Sequence, residues 1–260
     1  PGVSGVNWMR TGYDTVGSAD LREQFQLVAF DPRGVGDSAG VTCPTQAIKD
    51  VVYYAQSPHA FGSEDDIAYS RKVMGDFAED CQKVGFDTAY FNTQQAARDL
   101  ELLRVVAGAE SLNYLGFSYG TLLGSTYAAL FPDKVGKLVL DGAVDPQMSE
   151  SEMLLAQVAG FDSTFRAYVA DCIEKIQCPF NKDVDSAIRL VAQFLQEREV
   201  STLPTQLDRE LSLQATLAGI IAALYSEDSW VYLSQAFDEA LDGDGTTFSV
   251  SYTHLRAHET

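Results

Sequence analysis

Histidine is nearly missing from this chain: His59, His254 and His258 are the only three among 260 residues. Four cysteines are present but none forms a Cys-x-x-Cys pair, so the donor sets that hold zinc are not in place. We expect no metal and no cofactor. Positive charge is also scarce. Lys and Arg total 18 against 37 Asp and Glu, and the net charge of −19 repels phosphate backbones and anionic lipid alike. Nucleic acid and membrane surfaces are therefore not expected partners. An acidic surface serves solubility first and also suits a cationic substrate such as a peptide amino terminus. No stretch approaches the roughly 18 consecutive apolar residues of a membrane span, so no stable membrane insertion is expected of this segment. Neither a signal peptide nor an initiating methionine is visible at Pro1, and the natural beginning is expected to lie upstream.

What the chain does have is apolar material, 46% of its residues, enough for one large α/β domain with an insertion or for two domains. Its most informative stretch is Gly116-Phe117-Ser118-Tyr119-Gly120. Three fixed identities are a weak pattern alone. Here Asn113-Tyr114-Leu115 reads as a strand before it and Thr121 to Phe131 as a helix after it, the context of a nucleophile elbow. In such an elbow a strained turn lifts the serine hydroxyl above the sheet, and Gly116 and Gly120 permit the crowding. Ser118 is thus the candidate nucleophile.

Around the elbow, strands and helices alternate. Gln26 to Phe30 reads as a strand ending in the loop Asp31 to Ser38, where Asp31 and Arg33 are expected to act as local turn and ion-pair residues. Gly34-Val35-Gly36 lacks the lysine and further glycine of a phosphate loop. Ser63 with Asp66 starts a helix toward Cys81, and a second starts near Thr93 with Ala96, Leu100 and Leu103 at helical spacing. Gly120, Gly124 and Ala128 share a small-residue face, Pro132 closes that helix, and Val135 to Leu140 reads as a buried strand. Continuous apolar strands between helices predict a mostly parallel sheet with helices on both faces.

After Pro146 the pattern becomes purely helical. Ser149 and Glu152 form a capping box, and stripes follow at Leu154, Val158, Phe161, Phe165 and Tyr168, at Val184, Ile188, Val191 and Leu195, at Leu217, Ile221 and Leu224, and from Trp230 to Leu241. These are read as core-facing stripes of a cap or lid. The expected division is residues 1–146 as the α/β core, 147–249 as the helical cap, and 250–260 as a non-native tail. That tail resembles one reading frame of a sequencing adaptor, so His254 and His258 carry no functional expectation, and His59 is read as a loop residue. Cys43, Cys81, Cys172 and Cys178 allow three disulfide connectivities. Chain order suggests Cys43 with Cys81 and Cys172 with Cys178, which implies an oxidising compartment.

Four stretches together carry a family resemblance: Pro-Gly-Val-Ser-Gly (Pro1 to Gly5), Phe-Asp-Pro-Arg-Gly-Val-Gly-Asp-Ser (Phe30 to Ser38), Asn-Tyr-Leu-Gly-Phe-Ser-Tyr-Gly-Thr (Asn113 to Thr121) and Leu-Val-Leu-Asp-Gly-Ala-Val-Asp-Pro (Leu138 to Pro146). From Pro1 to about Gly245 the chain resembles the secreted tripeptidyl aminopeptidases, α/β-hydrolase serine peptidases related to the prolyl iminopeptidases. The resemblance implies an exported enzyme that releases short peptides from substrate N-termini, and it supports the disulfides. It also implies that Ser118 is the nucleophile and that the Tyr119 backbone N–H is one oxyanion-hole donor. The other donor would precede Pro1, leaving only its neighbours Pro1 and Gly2. In that family the acid and histidine follow the cap, so they are expected to lie beyond this fragment together with the C-terminal strands. Asp141 and Asp145 match a segment ahead of the cap and are read as structural. A carboxylic-ester hydrolase and a non-catalytic hydrolase-fold binding protein are the alternatives.

Overall fold

Small polar residues set where the helices begin. The computed structural model describes residues 3–38, 45–83, 87–180 and 183–257. In chain order these form α1 (Gly5–Gly12), α2 (Ala19–Gln24), α3 (Gln46–Tyr54), α4 (Glu64–Gln82), α5 (Thr93–Val106), β1 (Leu112–Phe117), α6 (Tyr119–Leu130), β2 (Val135–Asp141), α7 (Glu150–Ile173), α8 (Val184–Val200), α9 (Leu213–Leu224), α10 (Trp230–Leu241) and α11 (Thr246–Ala257). Ser4, Ser63, Asn92, Asp183 and Ser212 each accept a first-turn N–H that the helix itself cannot satisfy. The box before α7 is reciprocal: the Ser149 N–H donates to Glu152 at 2.8 Å and the Glu152 N–H to the Ser149 hydroxyl at 3.3 Å.

The described residues divide into two compact units, 3–38 with 87–153 and 45–83 with 154–257. In the first, β1 and β2 pair in parallel, from Leu112 opposite Val135 to Phe117 opposite Asp141. Helix α6 connects them and packs with α5 over a core of Ala96, Ala97, Leu100, Leu123 and Tyr127. Side chains alternate along β1. Tyr114 and Gly116 face α6, while Phe117 points the other way and meets Trp8 of α1 edge-on at 5.5 Å. Helix α6 covers one face of β1, while the other, carrying Leu115 and Phe117, stays exposed apart from the Trp8 contact.

One expected strand is not formed. Gln26 to Phe30 carries no ladder pairing, and among the described residues the sheet has two strands. Phe30 still packs against the α5–α6 core. Apolar character brought it to the core, but a strand also requires a neighbour to pair with.

A polar network locks α5 to α6. The Arg104 guanidinium grips both carboxylate oxygens of Glu101 at 2.6 and 2.8 Å, donates to the Ala109 carbonyl, and Tyr127 donates to Glu101 at 2.7 Å. The bonds from Arg104 and then Tyr127 hold the Glu101 carboxyl at about 2, below its ordinary 4.5. A carboxylate with a depressed folded-state pKa stabilises the fold above its unfolded value, and the gain is lost as pH falls through the folded one. The first unit should thus lose stability as pH drops from 4.5 to about 2. Glu101→Gln should lower the thermal midpoint at neutral pH and flatten the midpoint's pH dependence across that window.

In the second unit Phe237 is fully buried and touches the rings of Phe165, Phe180, Phe194 and Phe248 at 5.1–6.3 Å. Such pairs add about 0.5–1.5 kcal/mol each beyond area burial, so one residue anchors α7, α8, α10 and α11 together. Cys172 and Cys178 are joined, closing the turn after α7. Cys43 lies outside the described residues, and the Cys43–Cys81 pairing with it. The stripe on α7 splits: Phe161, Phe165 and Tyr168 reach the core, whereas Leu154 and Val158 are 60% and 56% exposed. The helix is longer than the core it packs on. The tail from residue 250 overlaps α11, whose first turn buries Phe248.

Candidate active site

Ser118 stands between the end of β1 and the start of α6 with φ +50° and ψ −117°. It is the single described non-glycine residue at positive φ, a conformation an L side chain holds only when its surroundings impose it. The constraints are identifiable. The Ser118 N–H donates to the Asp141 carbonyl at the end of β2, 2.9 Å away. Its own carbonyl accepts from the Thr121 N–H at 2.9 Å and from the Thr121 hydroxyl at 2.6 Å. That hydroxyl in turn accepts the Val144 N–H at 2.9 Å, so buried Thr121 ties the elbow to the loop that follows β2. Ser118 itself is exposed, at the mouth of this clamp.

Tyr114 and the Gly120 carbonyl leave no room for a side chain at Gly116. The Tyr114 phenol crosses beneath the turn and donates to the Gly120 carbonyl at 2.8 Å, and burial pushes its pKa to about 12. A Cβ on Gly116 would stand 2.5 Å from the Gly120 carbonyl oxygen and 2.6 Å from the Tyr114 ring. On Gly124, one turn further, it would meet Tyr114 at 2.7 Å and Leu140 at 2.9 Å. The small-residue face expected of α6 is therefore the surface against which Tyr114 packs. Tyr119 opens α6, and among the described residues no acceptor takes its backbone N–H, which lies at the positive end of the helix. Its phenol shares a hydrogen bond with Thr93 at 3.1 Å.

In the loop from Asp31, the expected turn and ion-pair roles fall to different residues. Asp31 accepts from the Ser4 hydroxyl at 2.7 Å and from the Val6 and Asp37 N–H groups at 3.1 Å. Burial works to raise the Asp31 pKa, but these bonds and one from Gly5 outweigh it and hold the carboxyl below its ordinary value. Arg33 reaches Asp99 of α5 in a two-pronged pair at 2.7 and 2.5 Å. The chain reverses at Gly34 and Gly36, both at positive φ, and that turn sends the two side chains apart. Asp145 accepts the Gln147 N–H at 2.8 Å, a turn contact.

Pro1 and Gly2 lie outside the described residues, as does His258. The described part of the first unit contains no histidine. His59, in the second unit, receives no catalytic geometry: its backbone N–H donates to Ser57 at 3.3 Å and its ring lies 6.1 Å from that of Tyr69. Among the described residues no three His, Cys, Asp or Glu side chains converge as metal ligands do, and no helix is long and apolar enough to cross a membrane. Thr121 and Tyr114 were not legible as site residues in the sequence. The signal for Thr121 was its place immediately after the second elbow glycine.

A strand, a serine at positive φ and a helix in direct succession, beside a parallel strand, define the elbow of a hydrolase fold. The family model described as alpha/beta hydrolase fold matches residues 1–205, and the chain belongs to that family. It is similar to the "Serine protease Hip1" of Mycobacterium tuberculosis (strain ATCC 25618 / H37Rv), 34% identical over 257 residues, covering 95% of this chain and 49% of that protein. It is likewise similar to "Carboxylesterase B" of the same strain, 36% identical over 241 residues, or 90% and 45% of the two chains. A "Tripeptidyl aminopeptidase" of Streptomyces lividans is 38% identical over 151 residues, 56% of this chain and 27% of that one. The chain spans about half the length of the first two relatives.

Proposed function

We propose that this chain is the nucleophile-bearing part of an exported serine peptidase that releases short peptides from substrate N-termini. Ser118 attacks the scissile carbonyl and the Tyr119 N–H receives the developing oxyanion; a donor so placed contributes about 3 kcal/mol to the transition state. The observation that carries the reading is the imposed positive φ of Ser118, which aims its hydroxyl outward at the start of α6. The strain has no use in a packing residue. Similarity to a serine protease and to a tripeptidyl aminopeptidase supports the peptide bond as the target. The bonded Cys172–Cys178 pair supports an oxidising, extracytoplasmic location.

The carboxylesterase relative favours a second reading, since the same elbow serves esters. The product of the complete gene should cleave tripeptidyl amides with a free amino terminus faster than N-blocked ones. Ester turnover without any amide turnover would sink the peptidase reading and leave the esterase.

A further inference from the structure

Thr121, on the first turn of α6, is buried three residues after the nucleophile. Its hydroxyl accepts the Val144 N–H at 2.9 Å and donates to the Ser118 carbonyl at 2.6 Å. Neither direction is open to choice, because a backbone N–H can only donate and a carbonyl can only accept. The single hydroxyl proton is therefore committed to Ser118. A helical threonine often bonds the carbonyl three or four residues back, and that contact alone would be ordinary helix chemistry. Two features set this one apart. The carbonyl belongs to the residue at φ +50°, and the hydroxyl is anchored from outside the helix, by a loop residue 23 positions further along the chain.

The Ser118 carbonyl and the Tyr119 N–H are the two ends of one peptide unit. That unit is planar and trans, so the N–H points away from the carbonyl oxygen, and fixing the direction of one fixes the other. Thr121 holds the carbonyl with two donors, its own N–H at 2.9 Å and its hydroxyl at 2.6 Å. On the other side of the nucleophile, the Ser118 N–H is held by the Asp141 carbonyl at 2.9 Å. The end of β2 and the loop after it thus grip both peptide units that flank Ser118, one directly through Asp141 and one through Val144 and Thr121. We infer that Thr121 is a positioning residue: through its hydroxyl, the loop after β2 sets the plane of the Ser118–Tyr119 peptide and so aims the Tyr119 N–H at the oxyanion that forms when Ser118 attacks. This role rests on the serine-hydrolase reading of Ser118. A donor of this kind acts once charge has developed on the carbonyl oxygen, so misaiming it lowers kcat and spares KM.

The test compares the full-length protein with its Thr121→Val and Thr121→Ser variants on a tripeptidyl amide, with turnover counted per active site titrated by a fluorophosphonate. Valine keeps the volume and the β-branch and removes the hydroxyl. It should lower kcat by about 30-fold, leave KM within about twofold, and weaken a tripeptidyl boronic acid, whose adduct with Ser118 places an oxygen at the Tyr119 N–H, by about the same 30-fold. Thr121→Ser restores the hydroxyl and should return both quantities to within about threefold of the parent. A merely structural role would shrink the titrated fraction of active protein and leave kcat per site and the boronic acid's affinity unchanged. That result would overturn the assignment, as would failure of serine to rescue. Affinity is read on whatever fraction folds, so a poorly folding valine variant still decides between the two. Failure of the hydrolase reading itself shows differently, as a parent whose Ser118 is not labelled by the fluorophosphonate and whose turnover survives Ser118→Ala, and it would remove the role of Thr121 with it.

Discussion

On the proposed peptidase reading, Ser118→Ala should lower kcat/KM on peptidyl amides by about 10⁶-fold in the full-length protein, close to the loss of a whole triad, because nucleophile and base act as a unit. The residual rate comes from substrate binding and from the Tyr119 N–H, which the substitution leaves in place at the head of α6. Folding should be nearly unaffected. The Ser118 side chain makes no capping bond, and every contact that imposes its conformation runs through its backbone or through Thr121. Alanine at φ +50° bears the same strain as serine, so a matched urea midpoint for the two proteins, alongside the lost turnover, separates a chemical role from a structural one. On the proposed reading, in which the histidine base is not among these residues, the 260-residue chain alone should turn over no faster than the Ser118→Ala protein; robust hydrolysis by that chain, lost on Ser118→Ala, would overturn this and bring one of its own histidines to Ser118.

Gly116→Ala should be the most damaging single methyl in the first unit. The added carbon would lie 2.5 Å from the Gly120 carbonyl oxygen and 2.7 Å from its carbon, and a backbone group at the start of a packed helix cannot swing aside as a flexible side chain would. Relief requires α6 to lift from β1, which breaks the Tyr114–Gly120 hydrogen bond and opens the Gly124 contact with Leu140. Overpacking of this kind costs about 3 kcal/mol, at the upper end of the usual range. Urea unfolding followed by a first-unit probe should show the lowered midpoint, and amide turnover by the complete product should fall with it. Gly75→Ala on α4 is the control. Nothing lies within 4 Å of its added carbon, and alanine is the better helix former by about 0.5–1 kcal/mol, so stability should hold or rise. Equal effects from both substitutions would mean that the elbow is not tightly packed.

The elbow was legible because its information is local. A strand of six residues, a forced turn and a helix occupy one continuous segment, and the glycines that the turn requires stand at fixed offsets from Ser118. The caps at Ser63 and Ser149 were legible for the same reason, since a cap and the N–H it satisfies are three residues apart. An ion-pair role for Arg33 was legible but its partner was not, because Asp99 is 66 residues away in the chain. Thr121 looked like an ordinary helix residue until β2 brought the Val144 N–H to its hydroxyl.

Sequence by itself determined much of the segmental character of this protein: the helices α4 to α10, the caps at Ser63 and Ser149, and the turn that carries Ser118. These follow from periodicity and capping chemistry, which act within a few residues, and the motif around Ser118 resembles that of hydrolases; α1, α2 and α3 carry no comparable signal. Tertiary structure alone decided that Gln26 to Phe30 goes unpaired, that Leu154 and Val158 stay in solvent, that residues 45–83 cluster with 154–257, and that Arg198 is buried with its Nε unpaired among the described residues. Each of those depends on which distant surface arrives opposite a given side chain, and pairing and burial belong to the two partners together rather than to either segment.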